Sequence, residues 1–374
     1  MKIFEVSFSL AQGGAERFVV DLSNELSKDN TVILLTLKDD KVDSNTRNFY
    51  KEEVNGSVQY VNLGLAGGFH LQSLWKIYKF IKNESPDIVH LNGQRVPYFC
   101  ILAIILLHNI TFIQTIHSDI KCYKDLFYQF FASSFGTKIF KYHFVALSKK
   151  NYEDWKKAFP RANSHLVFNG RSPLCRTTLY DEVTNLVHSY NKESLLFIHV
   201  ARFSEVKNQQ LLVRSFNKIV SEGYNVQLII LGEGFETPDG KKLQSMACPN
   251  IHFLGPHNNI ADYLCSSDIF CLSSNHEGLP ISILEAQLSG LPIVSTPVCG
   301  ALDVVEDKKN GVISKDFSEE AYVNALKYAI ENLDFLTENA RELMTHSPYT
   351  MKKCAQEYQE VYHNITKNKA EVDK

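Results

Sequence analysis

The sequence predicts an α/β protein made of two doubly wound parallel sheets, and three observations carry that prediction. The chain has 374 residues, more than one ordinary domain of roughly 100–200 residues requires. Short apolar runs of strand length alternate with helix-periodic segments through both halves, which is the pattern of successive strand–helix–strand crossovers. Residues 171–194 are polar and weakly periodic, and the alternation restarts behind them, so they read as a linker. The division expected is a first domain over 1–170 and a second over 171–349.

In chain order, the first half offers strands at 3–7, 31–37, 58–63, 87–91, 111–116 and 143–147, with a last one at 164–168. Helical patterns lie between them at 15–26, 71–82, 96–107, 125–140 and 149–158, which places helices on both faces of a parallel sheet. Asn169-Gly170 reads as a turn leaving the domain. In the second half, strands are expected at 195–201, 226–231, 251–254, 269–272 and 292–295, with a helix at 208–220. From 318 to about 365 the pattern is helical; residues 351–362 form one amphipathic helix and 366–374 a charged, frayed tail.

Apolar residues make up 44% and charged residues 22%, an ordinary globular composition. A net charge of −3 and a pI near 6.5 argue against bulk electrostatic binding to nucleic acid. The eight cysteines form no Cys-x-x-Cys pair, and several fall within apolar patterns; buried free thiols in a reducing, cytoplasmic compartment are expected. The chain opens on the strand pattern Lys2-Ile3-Phe4-Glu5-Val6, so no leader is expected. The longest apolar run, 99–107, falls short of the roughly 20 residues of a membrane span and reads as a buried helix. No cluster of His, Cys and Asp suggests a metal site, and Asp39-Asp40 reads as a solvated loop.

The most informative segment is His276-Glu277-Gly278-Leu279-Pro280-Ile281-Ser282-Ile283-Leu284-Glu285-Ala286, which follows the strand pattern at 268–272. Pro280 suits the first turn of a helix, where its missing N–H is not needed. Glu277 then sits on a strand-to-helix loop and Glu285 one to two turns into the helix. The free N–H groups of the helix start suit a phosphate, and the two acids suit hydroxyl groups on either side of it. A nucleotide-sugar has that arrangement.

Three further motifs occupy comparable strand ends. Leu10-Ala11-Gln12-Gly13-Gly14-Ala15-Glu16-Arg17 leads from the first strand into the first helix, where Gly13 and Gly14 serve either a plain tight turn or the close approach of an anion. Arg202 and Lys207 lie five apart in the loop behind the strand at 195–201; they are either a solvated pair or two cations converging on a diphosphate. His117 ends the strand at 111–116 and is either structural or a hydrogen-bond donor to a sugar or phosphate oxygen. His90 has a similar place and ranks below it, while His252 and His257 read as loop or edge residues.

Taken together, these segments resemble the retaining nucleotide-sugar glycosyltransferases of family four. The resemblance also draws on Pro86-Asp87-Ile88-Val89-His90, Val167-Phe168-Asn169-Gly170, Leu231-Gly232-Glu233-Gly234 and Phe253-Leu254-Gly255, so it runs almost end to end. It implies the GT-B architecture: two Rossmann-like domains facing a cleft, an acceptor-side domain over 1–170 and a donor domain over 171–349, with a last helix at about 350–365 returning to the first. It implies that Arg202 and Lys207 contact the donor diphosphate, that Glu285 holds the ribose and Glu277 the hexose, and that His117 meets the transferring sugar. Gly13 and Gly14 would approach the phosphates, Leu254 would lie near the base, and Gly278, Leu279 and Pro280 would complete the donor loop. Pro280 stands where many relatives carry a second glycine, so one backbone N–H is lost there.

The reaction implied is displacement of a nucleoside diphosphate, UDP by expectation, by a glycan hydroxyl with retention at the anomeric carbon. No carboxylate is left over to act as a nucleophile beneath the sugar. The resemblance implies same-face attack, with the leaving phosphate taking the acceptor proton and no metal or cofactor required. The acceptor is expected to be a glycan, with a polyprenyl-diphosphate-linked one as the candidate. Residues 121–144 interleave aromatics with lysines, as either a membrane-interface face or a buried aromatic helix would; the first would make the enzyme peripheral on the inner face of the cytoplasmic membrane. Two other functions fit the architecture: a nucleotide-sugar epimerase, which needs extra acids and histidines for proton transfer, and a non-catalytic nucleotide-sugar-binding subunit.

Overall fold

In the computed structural model, which describes residues 1–38, 48–65, 68, 70–118 and 120–372, the apolar runs become strands, and every strand pairing among the described residues is parallel. The Asp39-Asp40 loop lies outside the described residues. The chain forms two units, one of Met1–Ser172 together with the chain from Tyr349 onward, the other of Pro173–Pro348.

The first unit opens with β1 (Lys2–Ser7), α1 (Gly14–Leu26), β2 (Thr31–Lys38), β3 (Gln59–Leu65), α2 (Leu71–Glu84) and β4 (Ile88–Asn92). It continues through α3 (Val96–Phe99), α4 (Ile101–Leu106), β5 (Thr111–Ile116), α5 (Leu126–Phe131), α6 (Ser134–Phe140), β6 (His143–Ala146), α7 (Lys149–Ala158) and β7 (Asn163–Leu166). The strand order is β3-β2-β1-β4-β5-β6-β7, so the winding reverses between β1 and β4. Alternate strand residues face opposite sides. Phe4, Val6, Val89, Leu91 and Phe112 pack into one apolar core with Ile77 and Ile81 of α2. The intervening Glu5, His90 and Thr115 are buried as well but polar, which marks the second face as different in kind.

The second unit contains α8 (Tyr180–Asn191), β8 (Leu195–Val200), α9 (Gln209–Ser221), β9 (Val226–Leu231), α10 (Pro238–Ser245), β10 (Ile251–Gly255), α11 (Ile260–Cys265) and β11 (Ile269–Leu272). It ends with α12 (Ile281–Leu288), β12 (Ile293–Ser295), α13 (Cys299–Val304), β13 (Gly311–Ile313), α14 (Glu319–Glu331) and α15 (Leu333–Thr345). Its order is β10-β9-β8-β11-β12-β13, with the reversal between β8 and β11. Phe197, Leu228, Ile230, Ile269 and Val294 from the strands meet Leu212, Phe216, Tyr322 and Leu326 from α9 and α14. Finally α16 (Met351–Val372) returns to the first unit, where Tyr358 and Tyr362 bond to its strands.

Several expectations change. The stretch at 171–194 is not all linker: Val183 and Val187, four apart, bury one face of α8, and Thr184 bonds Ser266 of the following segment at 2.9 Å. The helix expected at 125–140 is two helices, because Ser133 accepts from Gly136 N and starts a new one. The run at 96–107 is also broken, at Cys100, and Ile105 and Leu106 are exposed rather than buried. The tail expected to fray from 366 is helical to Val372. Only Cys100, Cys271 and Cys354 are buried; Cys122 and Cys175 are exposed, and none of the eight is in a disulfide. Asn169-Gly170 is a packing point rather than a turn: a Cβ on Gly170 would lie 2.6 Å from Thr350 O and 2.9 Å from Met351 Cα, so only glycine lets the start of α16 lie against it.

Candidate functional site

Strands β8 and β11 are neighbours whose connections run to opposite sides of the sheet, and such a reversal opens a crevice at the strand carboxyl ends. The loops leaving these two strands carry Arg202, Lys207 and Glu277. Lys207 closes a short 3-10 turn over Glu205–Lys207, and the next residue, Asn208, takes a left-handed conformation (φ 48°). Asparagine tolerates that conformation, and its side chain caps α9 by accepting from Leu211 N.

Lys207 Nζ donates to Glu277 Oε1 at 2.5 Å, and Ser274 Oγ donates to the same oxygen at 2.7 Å. The two charged side chains are 21% and 12% exposed, so both remain reachable from solvent. No group among the described residues hydrogen-bonds Glu277 Oε2. The loops are laced together: Asn275 N donates to Val206 O at 2.8 Å, Asn208 Nδ2 to Asn275 Oδ1 at 3.0 Å, and Ser273 Oγ to Lys207 O at 2.9 Å. The cation is therefore held against the acid by hydrogen bonds between the two loops rather than by the ion pair alone. Arg202 lies on the same loop with an exposed side chain, and its carbonyl accepts from Gln209 Nε2 at 2.9 Å.

Glu285 sits in the second turn of α12 and is 8% exposed. Pro280 precedes α12 as its N-cap (φ −69°, ψ 136°), one position earlier than the sequence suggested, and no side chain caps that helix start. Gly278, Leu279 and Pro280 are buried. Leu254 lies in the edge strand β10, and its carbonyl accepts from His257 Nε2 at 3.2 Å, so that oxygen is already engaged. Of the residues predicted here, side-chain contact joins Lys207 to Glu277; Arg202 lies on the loop of Lys207, and Glu285 in the helix that follows the Glu277 loop.

Three supports escaped the sequence reading. Thr296 Oγ1, behind β12, donates to Ser274 O at 2.6 Å. A Cβ on Gly300 would come within 2.4 Å of Gly278 O, so the start of α13 packs directly under the Glu277 loop. His199 is fully buried; its Nδ1–H donates to Cys271 O at 2.9 Å, tying β8 to β11. Burial pushes its pKa down to about 4, with the Cys271 carbonyl opposing and the Lys207 cation assisting. The signal available for Gly300 was its position between a strand and a helix; the histidine gave none, since buried and exposed histidines look alike in a strand.

In the first unit, Gly13 precedes α1 with extended backbone (φ −173°), which any residue adopts, and a Cβ there would meet only the mobile end of Glu16. The tight-turn argument for these glycines therefore fails; what remains is a helix start without a side-chain cap. Arg17 of the same motif pairs with Asp21 and Glu53. His117 packs edge-on against Phe18, and its Nε2 lies 3.1 Å from Asn92 Oδ1. Burial, with His90 nearby, pushes its pKa down to about 3, so the ring is neutral. An N–H on Nε2 would donate to Asn92 Oδ1 and leave Nδ1 as an acceptor, whereas the other tautomer would keep Nδ1 the donor the sequence suggested. His90 is fully buried between Glu5 Oε1 (2.9 Å) and Thr115 Oγ1 (2.7 Å), a core residue.

The segment 121–144 divides by face. Tyr128, Phe131, Tyr142 and Phe144 belong to the core, while Leu126 (82% exposed), Phe130, Phe135 and Ile139 lie on the surface with exposed Lys124 and Lys138. No helix among the described residues is long and apolar enough to cross a membrane. Among the same residues no group of three His, Cys, Asp or Glu could hold a metal ion.

Comparison with known proteins agrees with this architecture. The model for Glycosyltransferase Family 4 matches residues 12–173, and that for Glycosyl transferases group 1 matches residues 184–343. An uncharacterized glycosyltransferase of Methanocaldococcus jannaschii, MJ1059, is 29% identical over 294 residues, 67% of this chain and 68% of that protein. The Escherichia coli UDP-Gal:alpha-D-GlcNAc-diphosphoundecaprenol alpha-1,3-galactosyltransferase is 24% identical over 80% of this chain and 81% of its own. Among solved structures, a glycosyltransferase from Rickettsia africae superposes with a TM-score of 0.80 at 18% identity over 98% of this chain and 99% of that one. Anabaena Alr3699/HepE in complex with UDP and glucose gives 0.78 at 18% identity over 97% and 100%. Two doubly wound parallel sheets, the second wholly and the first in all but β1 covered by a family match, make this chain a member of the family-four, group 1 glycosyltransferases with the GT-B fold.

Proposed function

We propose that the protein is a retaining glycosyltransferase that moves a hexose or N-acetylhexosamine from a UDP-sugar to a glycan hydroxyl. The observation that carries this reading is the Lys207–Glu277 pair: a cation and an acid held by hydrogen bonds between their loops at a sheet reversal, still reachable, with one carboxylate oxygen unbonded among the described residues. In this reading Lys207 and Arg202 neutralise the departing diphosphate, and the uncapped start of α12 adds its N–H groups. Glu277 Oε2 accepts from a hexose hydroxyl and Glu285 from the ribose. The leaving phosphate takes the acceptor proton, which spares the protein a nucleophile and a metal. The HepE complexes with UDP and with UDP-glucose support the choice of base.

The acceptor is read as a lipid-linked glycan. The Escherichia coli relative acts on a diphosphoundecaprenol-linked sugar, and here Leu126, Phe130, Phe135 and Ile139 are exposed beside lysines, a face suited to an anionic bilayer surface. In this reading the enzyme works peripherally on a membrane.

Incubation with UDP-, GDP- and ADP-sugars, scored for free nucleoside diphosphate and for epimerised donor, tests the assignment. Slow release of UDP is expected. Epimer formation would convert the reading to an epimerase, and binding without either product to a non-catalytic subunit. Flotation with anionic liposomes tests the membrane contact; protein remaining wholly at the bottom of the gradient argues against it.

A further inference from the structure

The polar face of the first sheet holds a continuous chain of hydrogen bonds. Tyr358 OH lies 2.6 Å from Thr115 Oγ1, Thr115 Oγ1 2.7 Å from His90 Nε2, and His90 Nδ1 2.9 Å from Glu5 Oε1. Asn92 Nδ2 donates to Glu5 Oε2 at 2.8 Å, and Tyr362 OH reaches His90 Nδ1 at 2.8 Å and Glu5 Oε1 at 3.3 Å. Glu5, His90, Tyr358 and Tyr362 are 0% exposed and Asn92 is 1% exposed. Within so closed a set, each donor must find an acceptor. A carboxylate only accepts, so the nitrogen of the Asn92 amide, not its oxygen, must face Glu5. The Asn92 oxygen is thereby turned toward His117 Nε2, 3.1 Å away.

We propose that Glu5 and Asn92 are positioning residues that lock His117 in its Nε2–H tautomer, so that the unprotonated Nδ1 accepts a hydrogen bond from a substrate hydroxyl. The reasoning runs outward from the buried acid. Glu5 fixes the flip of Asn92, Asn92 fixes the tautomer of His117, and the tautomer fixes the sign of the bond His117 can make. The burial that keeps this ring neutral serves the same end, since an imidazolium would present a second N–H instead of a lone pair. Tyr358 and Tyr362 reach this chain from α16, so the last helix supports the histidine through Glu5 and His90. The substrate half of the inference rests on the transferase reading given above; the tautomer half does not.

Two-bond proton–nitrogen correlation spectra of the full chain labelled with 15N-histidine read the tautomer directly, with the His117 signals identified by their loss in His117→Leu. At neutral pH the parent should show a protonated Nε2 and an unprotonated Nδ1. A spectrum showing Nδ1–H or an imidazolium would overturn the proposal by itself. Asn92→Leu should release His117 into a mixture of tautomers. If Asn92→Leu does not fold, the parent spectrum still decides. With the nucleotide sugar active in the donor screen, Asn92→Leu should lose roughly tenfold in kcat/KM, the worth of one hydrogen bond, with UDP affinity unchanged. Parent-like transfer by His117→Leu would end the substrate half, whereas absence of turnover in the parent would indict the transferase reading instead.

Discussion

Two buried acids, one in each unit, stand in opposite circumstances. Glu5 lies mid-strand with both oxygens taken by His90, Tyr362 and Asn92, and nothing around it reaches solvent. Glu277 lies on a loop with one oxygen taken by Lys207 and Ser274, the other unbonded among the described residues, and its cation partner 21% exposed. Desolvating a charge is tolerable only when its partners are complete, so a closed set such as that of Glu5 holds a structure together and leaves nothing for a ligand. An incomplete set at a sheet reversal is what a ligand completes. The same residue types thus serve architecture in one unit and, by our reading, chemistry in the other, and the difference lies in how many lone pairs the protein itself satisfies.

The largest effect that separates the two is expected from the open pair. Lys207→Ala and Glu277→Ala should each lower turnover by about 100- to 1000-fold, the usual loss when a transition-state charge partner is removed. Unfolding stability should move by about 1 kcal/mol or less, because the pair is partly exposed. Steady-state UDP release together with urea unfolding checks both halves; parent-rate transfer by either variant would remove the site assignment. His90→Leu should do the reverse. It strips a donor from a buried carboxylate and should cost about 3 kcal/mol of stability in urea unfolding, with a loss of turnover per folded molecule far smaller than that of Lys207→Ala.

Gly300→Ala probes the support beneath the open loop. Its new Cβ would press on Gly278 O, so UDP affinity by calorimetry should fall by about tenfold while Lys207 and Glu277 remain in place. Unchanged affinity would mean that the loop yields without consequence. The smallest effect is on pH dependence. Burial holds His117 at about 3 and His199 at about 4, against 6.5 for an exposed ring. Between pH 6.5 and those values the unfolded chain binds protons that the folded chain refuses, so stability is complete above 6.5 and declines as the pH falls toward 4. His199→Gln should flatten part of that decline in unfolding measured from pH 7 to 4, and an identical slope would contradict the pKa assigned to His199.

The sequence by itself determined the architecture. Apolar runs of strand length separated by helical periods leave a parallel sheet as the compact solution, and Thr111–Ile116, Val226–Leu231 and Ile269–Leu272 fall where periodicity places them. It also determined the loop positions of Lys207 and Glu277, since residues just past a buried strand have one place to go. Helix α8 was missed because its two buried valines are too few for a periodic signal, and the break at Ser133 because a cap is one residue within an apolar stretch. Other features were decided only by tertiary structure. That Lys207 meets Glu277, that His90 belongs to the core while His117 keeps one nitrogen free of Asn92, and that Gly300 must be a glycine all depend on residues distant in sequence. Local pattern encodes what each residue prefers, whereas hydrogen-bond partners, and through them protonation and tautomer, are properties of the assembled neighbourhood.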